Sequence, residues 1–220
     1  MSQFAVIGIG RFGFHVAKLL HESGHDVLAV DSDAAAIQRV KDHCTQAVVL
    51  DGRDKLRLRA LGVRDFDAVV ISLGERLEAS ALIALHLKEI GVKRIIAKAA
   101  SSDHAKLLEL IGVSEIISPE RQAAERLANR LRDTNVLDYI PLGQGYGIHE
   151  ITPPKEFLGK SLVELRLRNR FNIQVLAIRD GRSDELKINP SAEFRIREFH
   201  ILVVLGSDDD LDRLRKMSRA

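Results

Sequence analysis

A glycine-rich turn set between a strand and a helix constrains this chain more than any other feature. Residues 4–13 read Phe4-Ala5-Val6-Ile7-Gly8-Ile9-Gly10-Arg11-Phe12-Gly13, an amphipathic run follows to Gly24, and Asp26-Val27-Leu28-Ala29-Val30-Asp31 makes a second strand ending in an acid. Each glycine stands where a Cβ would intrude. Gly8 permits the tight turn out of the strand, Gly10 lets the backbone approach a phosphate, and Gly13 lets the helix pack closely on the sheet. Unpaired N–H groups and the macrodipole at the helix N-terminus favour negative charge there. Asp31 follows Gly13 at close to the roughly 20-residue spacing of a carboxylate that accepts from ribose hydroxyls. A carboxylate repels a 2′-phosphate, and Ser32-Asp33 brings no arginine to receive one, so NADP is disfavoured. The segment predicts a βαβ unit that holds a nucleotide or dinucleotide.

Length and composition set wider bounds. The 220 residues, 45% hydrophobic, suffice for one large domain or two small ones. There is no apolar run of the 18 or so residues that a membrane helix needs, and a strand begins within a few residues of Met1, so neither a membrane span nor a secretory signal is expected. Cys44, the single cysteine, excludes an internal disulfide and suits a reducing cytosol. With a net charge of +2 and no concentrated basic segment, nucleic acid is not an expected partner. The densest basic stretches, Arg53 to Arg59 and Arg166 to Arg170, read as solvated faces.

Strand and helix patterns alternate through residue 131, as a parallel sheet covered on both faces requires. Helices are expected over 33–42 with Asp33 as cap, 54–61, 76–90, 102–111 and 120–131, the last opened by Pro119. Strands are expected over 47–50, 68–71, 94–98 and 115–117. The stretch 133–147 is rich in turn formers (Pro141, Gly143, Gly145, Gly147) and is read as the domain boundary, dividing the chain into 1–134 and 135–220. Beyond it come strand signals at 148–151, 174–179, 186–188 and 200–205, with short helices near 162–165 and 209–217. The fold class is α/β: a Rossmann-like parallel sheet followed by a smaller α+β domain.

Ligands of an open parallel sheet lie at the carboxyl ends of its strands. Asp51-Gly52 and Ser72-Leu73-Gly74 follow two such strands, placing Asp51 near a base and Gly74 at a close backbone approach; Lys98 ends a third on the same edge. Arg11 either aims a guanidinium at phosphate oxygens or is a solvated turn residue. Glu120, in a helix's first turn, is accounted for by the dipole alone. Catalytic constellations are absent: there is no HExxH, GxSxG or Walker A motif, and Gly24 separates His21 from His25. His149, His200 and the scattered carboxylates of the tail offer no convincing acid–base pairing, which makes a binding protein the better reading than an NAD-dependent oxidoreductase.

The chain resembles the RCK (KTN) regulatory proteins of Trk and Ktr potassium uptake systems, the Ktr-type cytosolic subunit above all. The resemblance rests on Ala5 to Gly13, Val27 to Asp31, Ile71-Ser72-Leu73-Gly74-Glu75 with Glu78-Ala79-Ser80, Ile95 to Ala99, His104 to Ile117, Ser118-Pro119-Glu120-Arg121 and Asn135 to Ile140. In the second half it rests on Phe157 to Leu162, Val175 to Ile178 and Leu202 to Gly206. It implies a crossover helix exchanged between protomers, homodimers stacked into an octameric ring, and a potassium-translocating membrane subunit beneath which that ring sits at the inner face of the cell membrane. It also implies ATP and ADP as ligands, or NAD and NADH as in the Trk branch. Gly8, Gly10 and Gly13 would then lie on phosphate, Asp31 at the ribose and Asp51 at adenine, with Phe12, Ser32, Gly52, Ser72, Leu73, Gly74 and Lys98 also at the cofactor. Arg11 would face a terminal phosphate, and Glu120 would help hold a divalent cation such as Mg2+. A cyclic dinucleotide in the C-terminal domain is a further implication, in the region of Arg168, Asn172, Ile173 and Pro190.

Overall fold

The computed structural model describes residues 1–132 and 136–217. Contacts divide the chain into two compact units, Met1–Pro119 and Glu120–Ala220. The first holds strands β1 Gln3–Ile7, β2 Asp26–Asp31, β3 Gln46–Val49, β4 Ala68–Ile71, β5 Ile95–Lys98 and β6 Glu115–Ile117. Between them run helices α1 Arg11–Glu22, α2 Ala34–Val40, α3 Lys55–Ala60, α4 Leu77–Ile90 and α5 Ser102–Ile111. All six strands are parallel, in the order β3-β2-β1-β4-β5-β6. The expected helices and strands of this half are all present, with ends shifted by a few residues at most.

The strands are apolar throughout because both faces are covered. On one face Ala5, Ile7, Val30, Val69, Ile71, Ile95 and Ala97 pack against α3, α4 and α5 through Leu58, Ile83, Leu87 and Leu108. On the other, Val6, Val27, Ala29 and Val70 pack against α1 and α2 through Ala17, Ala36, Ile37 and Val40. Local chemistry sets the helix ends. Asp33 accepts from Ala35 N–H, Asp54 from Arg57 N–H and Ser101 from His104 N–H, while Gly91 and Gly112 close α4 and α5 in the left-handed region (φ 90° and 85°).

Helix α6, Pro119–Arg132, leads into the second unit. There β7 Val136–Gly143, β8 Tyr146–Ile151, β9 Gln174–Asp180, β10 Leu186–Ile188 and β11 His200–Ser207 form an antiparallel sheet in the order β10-β9-β11-β8-β7. Helices α7 Leu162–Leu165, α8 Leu167–Phe171 and α9 Asp208–Met217 supply Leu165, Leu167, Phe171, Leu211 and Leu214 to its core, beside Ile178, Leu202 and Val204. Two features go beyond the sequence reading. The turn formers of 136–147 belong to a hairpin, which turns on Gly143, Gln144 and Gly145, all at positive φ. Pro141 is accommodated because β7 is an edge strand with register shifts, where one missing ladder donor costs little. Helix α8 was also not foreseen; Arg166 and Asn172 in left-handed conformations isolate it as a single turn. Residues 133–135 of the expected boundary lie outside the described part.

Candidate functional site

The strand order reverses between β1 and β4, which makes the gap at their carboxyl ends the crevice of the sheet. The turn after β1 is fitted to it tightly. A Cβ on Gly8 would lie 2.4 Å from the Ser72 carbonyl oxygen, and one on Gly13 would lie 1.9 Å from the Gly8 oxygen. Gly8 serves close approach to β4 as well as the turn, at φ 96°, and Gly13 seats α1 on that turn. A Cβ on Gly10 would meet nothing within 4 Å, so the backbone there faces open space. No side chain caps α1 at Gly10, and its first turn carries no acid. The amides of that turn, which a helix leaves without intrahelical partners, are available to an anion.

Asp31 ties this turn to β2. Its Oδ2 accepts the Ile9 N–H at 2.6 Å and its Oδ1 accepts the Asp33 N–H at 2.9 Å. Each carboxylate oxygen retains a second lone pair for a hydroxyl donor. A small cavity of about 130 Å³ joins Gly8, Asp31, Ser32, Asp51, Gly52 and Leu73. It is well below the roughly 300–1,000 Å³ of a pocket that encloses a whole ligand. It can therefore admit one end of a nucleotide, with the remainder along the open turn at Gly10.

Other anticipated residues lie around this core. Ser72 is buried at the end of β4 and its N–H donates to Ile7 O at 2.8 Å. Gly52 is required sterically, since a Cβ would meet Ile7 and Ile83 side chains at 2.8 Å. Gly74 stands at φ 61°, a conformation that favours glycine, and a Cβ on it would meet no protein atom within 4 Å, so its backbone faces open space as that of Gly10 does. Lys98 Nζ sits 6.0 Å from the centre of the Phe12 ring, which brings the end of β5 to the first turn of α1. Arg11 is exposed on that turn, outside the cavity. Glu120 is exposed on α6, in the second unit. Among the described residues no group of three or more His, Cys, Asp or Glu side chains is placed to hold a metal.

Two arginines that the sequence reading did not assign to this place line the cavity, Arg53 and Arg76. Arg53, expected on a solvated face, grips Asp51: its Nε lies 3.0 and 3.1 Å from the two carboxylate oxygens and its Nη2 lies 2.6 Å from Oδ2. These side-chain hydrogen bonds, helped by the Arg53 N–H and the charges of Arg53 and Arg76, hold the Asp51 carboxyl down at about 2. A local signal existed, because an Asp followed two residues later by its own hydrogen-bond partner is an Asx turn; the Arg53 N–H reaches Asp51 Oδ1 at 3.0 Å. Nothing local marks Arg76.

In the second unit a separate cavity of about 480 Å³ is lined by Arg166, Arg168, Ile173 and Pro190, among others. Asn172 does not join them. Its left-handed backbone directs the side chain to Asp210, with Nδ2 donating to Oδ2 at 3.0 Å.

Comparison with known proteins agrees with this architecture. The TrkA-N domain model matches residues 4–119 and the TrkA-C domain model residues 148–219. Ktr system potassium uptake protein C of Bacillus subtilis is 38% identical over 215 residues, covering 98% of this chain and 96% of that protein. Ktr system potassium uptake protein A of Vibrio alginolyticus is 35% identical over 210 residues, covering 96% and 94%. Among solved structures, the GsuK channel bound to NAD superposes with a TM-score of 0.55 at 20% identity, over 100% of this chain and 39% of that one. The AMP-bound C-terminal domain of Shewanella denitrificans Kef gives 0.51 at 24% identity, over 60% and 82%. These structural likenesses speak for the fold.

Proposed function

Because this chain belongs to the RCK family, the proteins with TrkA-N and TrkA-C domains that include the Ktr potassium uptake proteins, we propose that it is a nucleotide-sensing regulatory subunit of a potassium uptake system. It is a binding switch rather than an enzyme. ATP favours one geometry of a ring of homodimers, an octamer, and ADP another. The ring passes that difference to a potassium-translocating membrane subunit, against which the protein lies on the cytoplasmic side. No helix among the described residues is long and apolar enough to cross a membrane. Residues 1–134 form the nucleotide-binding part with the crossover helix, and residues 135–220 the C-terminal part.

One observation carries this reading: the uncapped first turn of α1 opens at the crevice between β1 and β4, beside a cavity shared by Asp31 and Asp51. Phosphates sit on the amides of Arg11, Phe12 and Gly13, the ribose on Asp31 and Ser32, and the base near Asp51, Gly52 and Leu73. A ligand shifts a conformational equilibrium only by its differential affinity for the two states. The γ-phosphate supplies that difference through Arg11 and Lys98; a divalent cation such as Mg2+, for which Glu120 would be the protein ligand, would offset its charge. The NAD(H)-sensing mode of the Trk branch uses the same Asp31 contact and is the alternative.

Competition of ATP, ADP and NADH against a fluorescent adenine nucleotide tests this directly. ATP and ADP are expected to displace the probe at lower concentrations than NADH; the reverse order establishes the alternative, and no displacement by any of them ends both. Arg11→Ala is expected to narrow the ratio of ATP to ADP affinity by about tenfold, the lower end of the value of one charge-assisted hydrogen bond. An unchanged ratio by calorimetry removes Arg11 from the switch. A second ligand, a cyclic dinucleotide, is favoured by the 480 Å³ cavity with its two arginines; loss of its binding in Arg168→Ala is the matching test.

A further inference from the structure

The contact between Arg53 and Asp51 raises a question of base selection. At the position proposed for the base stands an ionised carboxylate, which can only accept hydrogen bonds. Adenine presents a single donor there, the exocyclic amine, flanked by ring nitrogens that are acceptors. Guanine presents two adjacent donors on its Watson–Crick edge, and a bare carboxylate matches these better. Asp51 alone would therefore select the wrong purine for an ATP and ADP switch.

Arg53 alters that pattern. Its Nε and one Nη2 hydrogen are spent on the two carboxylate oxygens, as the 2.6–3.1 Å contacts require. The remaining Nη hydrogens, three of the five guanidinium donors, stay unspent on Asp51. Asp51 and Arg53 thus present an acceptor and a donor side by side at the rim of the cavity, where the Arg53 side chain is 59% exposed and able to meet a ligand. An acceptor next to a donor complements the amine and the adjoining ring nitrogen of adenine. The ribose anchor at Asp31 limits how far a guanine can slide to present its reversed pattern.

We propose that Arg53 is a specificity-determining residue that turns the Asp51 carboxylate from a guanine-selective into an adenine-selective contact. The inference rests on the nucleotide reading above and adds the residue that sets the base. Its contribution is geometric: the planar fork places a directed donor beside the carboxylate, which a point charge does not do.

The test is calorimetric titration of the full chain with ATP and GTP in wild type, Arg53→Ala and Arg53→Lys. Wild type is expected to prefer ATP, and the ATP-to-GTP affinity ratio is expected to fall about tenfold or more in Arg53→Ala, the worth of one directed base contact. Arg53→Lys is expected to resemble Arg53→Ala, because it retains the charge and loses the fork. A ratio unchanged in Arg53→Ala overturns the proposal while leaving the nucleotide site intact. A ratio restored by lysine overturns the geometric role in favour of simple charge neutralisation. A wild type that binds neither ATP nor GTP overturns the ATP and ADP reading and this inference with it.

Discussion

The two sheets of this protein solve the burial problem differently. In the first unit, all four residues of β4 are buried, because helices cover both faces of a parallel sheet. In the second, β11 alternates strictly between buried and half-buried positions from His200 to Ser207, because only one face carries a closed core. The consequence for function is positional. A sheet covered on both sides leaves its strand ends as the place for a ligand, and the glycine turn, Asp31 and Asp51 all stand there. A sheet covered on one side leaves room beside its helices, which is where the 480 Å³ cavity opens against α7 and α8.

The largest expected effect comes from the tightest glycine of each unit. A methyl on Gly13 meets backbone, the Gly8 oxygen at 1.9 Å, whereas a methyl on Gly206 in β11 meets the Ile173 side chain at 2.7 Å. Gly13→Ala is expected to cost about 3 kcal/mol, at the upper end of overpacking penalties, and Gly206→Ala about 2 kcal/mol, because the buried, β-branched Ile173 can shift a little where a backbone carbonyl cannot. Denaturant unfolding measures both, and equal costs would mean that the turn after β1 is softer than its geometry implies.

Neighbouring positions on one strand give the next effect. Val69 and Val70 face opposite sides of the first sheet and are both buried, so truncating either to Ala should cost a similar amount, about 2 kcal/mol. On β11, Leu202→Ala should cost about 3 kcal/mol and Val203→Ala below 1 kcal/mol, since Leu202 is fully buried and Val203 is not. Comparable losses at Leu202 and Val203 would show that the outer face of the second sheet is covered in the assembled protein.

The smallest effect is one that the units share. Each has a buried histidine whose Nδ1 accepts a main-chain N–H, His104 from Ala100 and His200 from Arg197. Burial lowers the pKa of both; at His200 the nearby Asp180 opposes the shift and Arg197 adds to it. A histidine depressed in the folded state leaves stability intact above the ordinary value near 6.5. Stability then falls as pH drops through that value, because the unfolded chain takes the proton first, and levels off below the folded pKa. Asp51, held near 2, stays ionised throughout and contributes no such slope between pH 5 and 8. Thermal melts from pH 7.5 to 5 are expected to decline, and His104→Gln should flatten part of that decline; an unaltered profile assigns it to other groups.

Much of this molecule was legible along the chain. The glycines at 8, 10 and 13, the cap Asp33, Pro119 at the first turn of α6, and the apolar runs of β1 to β6 act over a few residues, so local pattern suffices to read strand, turn and helix in order. The same locality explains the misses. The segment 136–147 has the composition of a loop, yet pairs as a hairpin because β11 stands ready beside β8 and offers it a ladder. Helix α8 is too short to show a helical period.

The amino-acid order by itself determined the alternation of elements, the nucleotide-type turn and the acid at the end of β2, since each depends on backbone preference and periodicity close at hand. Only the tertiary structure decided which side chains share a site. Strands that are distant in sequence stand side by side in the order β3-β2-β1-β4-β5-β6, and that order carries Arg53, Arg76 and Lys98 to the same edge as the glycine turn. The contact between Asp51 and Arg53 is local, an Asx turn spanning two residues; the tertiary structure decided that this pair lines the same cavity as Gly8 and Asp31, because it alone sets β3 and β1 in one sheet.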